Sequence, residues 1–128
     1  MSSVSGILLI VKDLNDTVEF YKKLGFIFKE HKAEYAKAYL NWFGVEFVPL
    51  EKVEQSLFKK VSDTEGVENK GAGLFVHINV PNVDDFYNDV VAKRLSTSSE
   101  PRDFPWGRRE FVIRDPDGYK IVFFQKLK

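Results

Sequence analysis

His77 and Glu46 are the two side chains whose type and setting best suit acid–base or metal chemistry. His77 lies in the apolar stretch LFVHINV, and Glu46 lies in GVEFVPL. An imidazole can act as a general base or bind a metal ion, and a carboxylate can do the same from inside an apolar site. Two plainer interpretations stay open: a hydrogen-bonded histidine in a pocket wall, and a glutamate that pairs with Lys120.

Other reactive groups are scarce in this sequence. The chain has no cysteine, which excludes a cysteine nucleophile, a thiolate metal site and a disulfide. No serine lies in a nucleophile elbow, the two histidines form no triad with a particular serine, and the first strand–helix turn has no phosphate-binding glycine pattern. Arg109 could hold an anionic ligand or brace Asp115 or Asp117 in the neighbouring turn.

The composition indicates one ordinary globular domain. The 128 residues are 44% hydrophobic and 15% aromatic, with 19 basic and 19 acidic side chains. This balance creates no field that would attract nucleic acid or an anionic membrane. The first residues carry no basic leader, and the apolar run from Ile7 to Val11 is too short for a signal peptide or a membrane span. We therefore expect a single cytoplasmic domain over residues 1–128, with no nucleic-acid or membrane partner.

The elements that must position these side chains occur twice. ILLIVKDLNDTVEFYKKLGF and LFVHINVPNVDDFYNDVVAKRL each read as an apolar strand followed by an amphipathic helix. Asp13 or Asn15 can cap the first helix and Asn82 the second, and Gly25 supplies a left-handed stop. GVEFVPLE and GYKIVFFQ close the two halves with a glycine and a strand.

These repeats predict an α+β fold built from two βαβββ modules. Module one covers residues 5–51, a linker covers 52–71, and module two covers 72–126. Val53, Leu57 and Val61 are spaced for one face of a short helix in the linker.

Alternation along each strand separates the residues that pack under a helix from those on the opposite face. On the helix side we expect Ile7, Leu9, Val11, Ile121 and Phe123. On the opposite, inward side we expect Gly6, Leu8, Ile10, Glu46, Val48, Leu50, Phe75, His77, Asn79, Lys120, Val122 and Phe124.

Three segments resemble the vicinal oxygen chelate superfamily, which includes glyoxalases, extradiol dioxygenases and bleomycin-resistance proteins. VKDLNDTVEFYKKLGF is similar to its first-module signature, VHINVPNVDDFY to its second-module opening, and RREFVIRDPDGYKIVF to its C-terminal signature. The resemblance implies that the paired modules form a cup-shaped mixed sheet, usually in a homodimer.

Enzymes of the superfamily hold a divalent metal through histidines and carboxylates on these strands. The matching positions here are Gly6, Val48, Phe75 and Val122, and none of these side chains has a donor atom. Moving the alignment by two residues brings in His77 and Glu46, but the other two positions still supply nothing. This departure from the superfamily's pattern predicts a metal-free, apolar pocket with no cofactor.

FPWGRREFVIRDPDG is most similar to the bleomycin-resistance branch. Trp106 then falls on a tryptophan that stacks on the ligand, and Tyr35 on an aromatic residue that closes the other side. Trp106 could equally cover a sheet edge or a dimer seam, and Tyr35 could be ordinary strand packing. The balanced charge and Lys120 argue against bleomycin itself, because those proteins are acidic and their ligand is cationic.

Our leading hypothesis is a homodimeric protein that sequesters a small aromatic or amphipathic molecule, as in antibiotic resistance. The candidate ligand-binding residues are Trp106, Tyr35, Phe75, His77, Phe124, Lys120 and Glu46. One alternative is a lyase, isomerase or dioxygenase-like enzyme that uses His77 and Glu46. Another is an interaction module whose cup is filled by its own side chains.

Overall fold

A computed structural model describes residues 2–53 and 71–128 of the chain. The chain divides into two compact units, Met1–Glu68 and Asn69–Lys128. Each unit contains one βαβββ module. The predicted single-domain organisation over residues 1–128, with its linker at 52–71, stays a prediction.

The first unit has a four-stranded sheet in the order β1-β4-β3-β2. β1 and β4 are parallel, and the other neighbours are antiparallel. The elements are β1 (Gly6–Val11), α1 (Leu14–Lys23), β2 (Ile27–Lys32), β3 (Tyr35–Leu40), β4 (Phe43–Pro49) and α2 (Leu50–Val53).

The second unit repeats this topology with the strand order β5-β8-β7-β6. Its opening and closing strands, β5 and β8, are again parallel. The elements are β5 (Phe75–Asn79), α3 (Val83–Ala92), β6 (Arg102–Phe104), β7 (Arg108–Arg114) and β8 (Lys120–Lys126). The predicted α+β class and the paired βαβββ modules are confirmed.

Both long helices begin where a capping side chain satisfies a free backbone N–H group. The Asp16 amide donates to Asp13 Oδ1 at 3.0 Å, and the Asp85 amide donates to Asn82 Oδ1 at 3.0 Å. Asp13, and not Asn15, is therefore the cap of α1. Gly25 follows the helix with φ +101°, as the predicted left-handed stop requires.

In each unit the apolar core lies between the long helix and one face of its sheet. In the first unit the ring of Tyr21 on α1 lies 4.9 Å from that of Phe47. In the second, the ring of Phe86 on α3 lies 4.3 Å from that of Phe123. The strand faces are as predicted for Leu9, Val11, Ile121 and Phe123, which are buried on this side.

The predicted inward strand position of Leu50 is wrong. β4 ends at Pro49, and Leu50 begins α2. Pro49 has no N–H group to continue the ladder, so the strand stops there. Of the predicted linker helix, Leu57 and Val61 lie outside the described residues. None of the helices in the described part of the chain has the length and apolar character needed to span a bilayer.

Candidate functional site

The open face of the second unit is the face of its sheet that α3 does not cover. Strand register places its residues, because partners on neighbouring strands point to the same side. Phe75 pairs with Lys120, His77 with Val122, and Asn79 with Phe124. Across the next ladder, Phe124 pairs with Glu110 and Lys126 with Arg108. The inward set predicted for β5 and β8 therefore shares one face, together with alternate residues of β7 and β6.

Trp106 lies in the hairpin turn between β6 and β7 and stacks on Phe104. The two ring centroids are 4.7 Å apart, with an angle of 15° between the planes. The Arg102 guanidinium lies 4.6 Å from the centre of the Phe104 ring. Trp106 nevertheless keeps 61% of its surface exposed. The turn thus presents a tryptophan ring whose position is fixed on one side and which is accessible on the other.

Arg108 joins the other two rings of the open face. Its guanidinium lies 4.2 Å from the centre of the Phe124 ring. Its Nη1 atom is 3.2 Å from Nδ1 of His77, whose ring centroid is 5.9 Å from that of Phe124. Because a guanidinium can only donate, Nδ1 of His77 accepts this hydrogen bond. Phe124 lies beneath this pair and is only 7% exposed.

Phe75 and Lys120 form the remaining pair on β5 and β8. The Lys120 ammonium lies 4.6 Å from the centre of the Phe75 ring. Phe75 is 49% exposed although it is a large apolar residue. Lys120 therefore holds a cation against an aromatic surface that solvent can reach.

Glu110 lies in the middle of the same face, paired in register with Phe124 and Arg102. Its Oε2 atom is buried and has no hydrogen-bond partner among the described residues. Its arginine neighbours are engaged elsewhere, Arg108 with His77 and Arg102 with the Phe104 ring.

In the first unit, the open face brings together two other predicted site residues. The Tyr35 hydroxyl donates to Glu46 Oε1 at 2.6 Å. Burial of the phenol, followed by this hydrogen bond, raises the pKa of Tyr35 above its ordinary value. On the same face, a hydrogen bond with Tyr39 is the main cause of a raised pKa for Lys37. Glu46 thus has a tyrosine partner within its own unit.

Arg109 does not brace the Asp115 turn, and that expectation is wrong. Its Nε and Nη2 atoms donate to the two carboxylate oxygens of Asp84 at 2.9 Å, and Nη1 donates to Asp103 at 3.1 Å. These bonds raise the pKa of Arg109 and lower that of Asp84. Asp115 lies six positions after Arg109 along the extended chain, which is about 20 Å and beyond the reach of an arginine.

Asp115 is a hydrogen-bond acceptor within the turn that precedes β8. Its Oδ1 atom accepts hydrogen bonds from the backbone amides of Asp117 at 2.8 Å and Tyr119 at 2.9 Å. These two bonds help to hold the turn.

The side chains at the superfamily's metal positions do not fit a metal ion. Val48 and Val122 are buried hydrocarbon, Phe75 is aromatic, and Gly6 has no side chain. Within residues 2–53 and 71–128, no group of three or more His, Cys, Asp or Glu side chains could hold an ion. His77 lies two residues after Phe75 and could offer a nitrogen atom, but its Nδ1 already accepts a hydrogen bond from the permanently charged Arg108. We therefore derive no chemical step through a metal.

Comparison with known proteins identifies the family. Residues 3–123 match the family model described as the glyoxalase/bleomycin resistance protein/dioxygenase superfamily. The chain belongs to this superfamily. The predicted resemblance is confirmed.

Relatives within the superfamily include bleomycin resistance proteins. The protein of that name from Geobacillus stearothermophilus is 28% identical over 126 residues, with 94% of each chain covered. A solved glyoxalase/bleomycin resistance protein/dioxygenase from Nocardioides has a TM-score of 0.79 and 19% identity over 100% of this chain and 86% of its own. The bleomycin resistance determinant of transposon Tn5 has a TM-score of 0.68 and 19% identity, with 98% of each chain covered. These structural likenesses establish the fold.

Sequence reasoning named part of this open face and missed part. It placed Phe75, His77, Lys120 and Phe124 on one strand face, and it selected Trp106. It missed Arg108, Phe104, Arg102 and Glu110. Alternation in RREFVIR carried a usable signal, because Arg108 and Glu110 have the opposite parity to the core residues Phe111 and Ile113.

Proposed function

We propose that this chain binds a small planar aromatic molecule on the open face of its second module and sequesters it, which would confer resistance if the molecule is an antibiotic. Membership of the superfamily supports the proposal, as does the name of its bleomycin resistance relatives. The observation that carries it is the Trp106–Phe104 stack, in which an ordered tryptophan keeps 61% of its surface exposed. A third planar ring can extend this stack without ordering a new side chain.

The proposed contacts extend from the stack across the sheet. Phe124 and His77 supply a ring surface under Arg108, and Phe75 with Lys120 supplies another. Tyr35 and Glu46 are proposed contacts of the first module's own open face, where the phenol is already held in place by its hydrogen bond. No metal or cofactor is part of the proposal.

The contact of His77 favours binding over catalysis. A general base needs a free lone pair, and Nδ1 of His77 uses its lone pair to accept from Arg108. If small carbonyl or epoxide substrates were turned over and His77→Ala abolished the reaction, the lyase or isomerase alternative would replace the proposal.

The two tryptophans provide a matched pair for the test. Trp106 is 61% exposed and Trp42, in the turn between β3 and β4, is 71% exposed. We would screen planar heteroaromatics and antibiotics for a rise in melting temperature and titrate the best compounds by calorimetry. Trp106→Ala should weaken binding about tenfold or more, and Trp42→Ala should leave it unchanged.

Equal losses in the two variants would exclude the stack as the binding surface. If no compound raised the melting temperature, the interaction-module alternative would be favoured instead. Tyr35→Ala in the same titrations tests whether the open face of the first module binds the compounds as well.

We further propose a cytoplasmic homodimer. Light scattering after gel filtration should then give about twice the chain mass of 14.8 kDa. A monomer at micromolar concentration would contradict this.

A further inference from the structure

We infer that the molecule bound by the second module is anionic: a planar aromatic compound that carries a carboxylate or another oxyanion. The inference rests on the proposed function and specifies the charge of its ligand. It starts from the charged residues that strand register places on the open face. Five are cationic and one is anionic: Arg102, Arg108, Arg114, Lys120 and Lys126 against Glu110.

This excess belongs to the second module and not to the chain as a whole. The complete sequence has a formal net charge of zero. On the open face of the first module, register places two cations, Lys32 and Lys37, and two anions, Glu30 and Glu46. The positive charge is therefore concentrated on the sheet that also presents the exposed aromatic rings.

Three of the five cations lie over aromatic rings of the same sheet. Arg102 is 4.6 Å from the Phe104 ring, Arg108 is 4.2 Å from Phe124, and Lys120 is 4.6 Å from Phe75. One face of each of these rings is already occupied by a cation of the protein itself. These side chains would repel a cationic ligand and attract an anionic one.

Arg108 and His77 provide the most specific donors for the anion. Arg108 has five N–H groups and uses Nη1 for His77, so most of its fork stays available for an oxyanion. Since Nδ1 of a neutral His77 accepts, its ring proton is on Nε2, which becomes a second donor. The ligand's ring can then lie against the exposed side of the Trp106 stack while its oxyanion binds the arginine.

Glu110 offsets only part of this positive charge. It is the one acidic residue at these register positions, against five cations. The open face therefore keeps an excess of positive charge.

Three naphthalene probes of one shape and different charge test the inference by calorimetry at pH 7. They are 2-naphthoate, neutral 2-naphthol and the 2-naphthylmethylammonium ion. We expect 2-naphthoate to bind at least about tenfold more tightly than the ammonium probe, with an affinity that falls as salt is added. Arg108→Gln should weaken 2-naphthoate about tenfold and change 2-naphthol by less than about twofold.

Arg114→Gln is the matched control, because Arg114 lies on the same strand and the same face at an exposed position. It should weaken 2-naphthoate by no more than about twofold. Arg108→Lys keeps the positive charge and loses the planar guanidinium donors, so it should weaken 2-naphthoate by an intermediate factor. This variant replaces Arg108→Gln in the test if Arg108→Gln folds poorly.

The outcomes separate the inference from the proposed function. Binding of all three probes with equal affinity, or preference for the ammonium probe, would overturn the anionic ligand and leave the aromatic site standing. Equal losses in Arg108→Gln and Arg114→Gln would overturn the role of Arg108. If none of the three probes bound, the proposed function would fail and this inference with it.

Discussion

Gly6 occupies a position where the superfamily's enzymes have a metal-binding side chain, and its backbone accepts no side chain at all. Its φ is +152°, and a Cβ atom built there would overlap the carbonyl group of Gly44, its register partner on β4. β1 and β4 therefore approach each other as closely as two glycines allow.

We predict that Gly6→Ala lowers the free energy of unfolding by about 2 kcal/mol or more, because it adds a backbone overlap to an unfavourable φ. Gly25→Ala is the control. Gly25 also has a positive φ, +101°, but nothing lies within 4 Å of its Cβ position, so only the conformational cost of about 1 kcal/mol applies. Urea unfolding measures the free energy of unfolding of both variants. Equal losses would mean that β1 moves away from β4 and so relieves the overlap with Gly44.

Residue types could be predicted from the sequence more readily than their partners. Phe124 and Val122 were placed on the correct face because alternation along a strand needs only a starting point. Arg108 was missed because its partner lies two strands away, on β5, and is reached across Phe124. Such a contact depends on the register of two ladders and on the length of a flexible side chain, neither of which is encoded in neighbouring residues.

At the scale of elements, residues next to each other in sequence were sufficient to predict the starts of the two long helices. They failed to predict that β4 ends at Pro49. Asp13 and Asn82 cap their helices as their types predict. Gln125 adds a contact that no local pattern could reveal, since its Oε1 atom on β8 accepts from the Val83 amide at 2.7 Å. The first turn of α3 is thus held by the last strand as well as by its own cap.

The Arg109–Asp84 pair also joins α3 to the sheet, and its effect on stability should depend on pH. The hydrogen bonds from Arg109 lower the pKa of Asp84 below that in the unfolded chain. The pair therefore stabilises the fold fully above the ordinary aspartate pKa, and this contribution is lost as the pH falls through the lowered value. Because the side chains are 31% and 51% exposed, solvent screening limits the contribution to about 0.5–1 kcal/mol.

Asp84→Asn should accordingly reduce the free energy of unfolding by that amount at pH 7 and by progressively less as the solution is acidified toward pH ~3. Asp85→Asn is the control. Asp85 is the other acidic residue in the first turn of α3, so it interacts with the same helix dipole, but it forms no ion pair among the described contacts. Denaturant unfolding of both variants across this pH range makes the comparison. Identical losses would attribute the effect to the helix dipole and not to Arg109.

At the scale of the molecule, the sequence repeat was a reliable guide to topology. Both units have the order of first, last, third and second strand, with the first and last strands parallel. Two stretches with the same succession of strand, helix and glycine-led closing strand were enough to predict this. The charge on each sheet could not be predicted in the same way, because it depends on which residues of β6 and β7 share a face with β8.

The whole chain should also fail to retain a stoichiometric transition metal. A tight site needs about three nitrogen, oxygen or sulfur donors, and the four inherited positions supply glycine, valine, phenylalanine and valine. We predict less than about 0.1 zinc, iron or manganese ion per chain after dialysis against each metal, measured by elemental analysis. The melting temperature should be the same with added metal and with EDTA, whereas metal at 100 times its Kd would stabilise the fold by about 2.7 kcal/mol. One equivalent of bound metal, removable by EDTA with a fall in melting temperature, would show that donors outside these positions assemble a site and would favour the enzymatic alternative over sequestration.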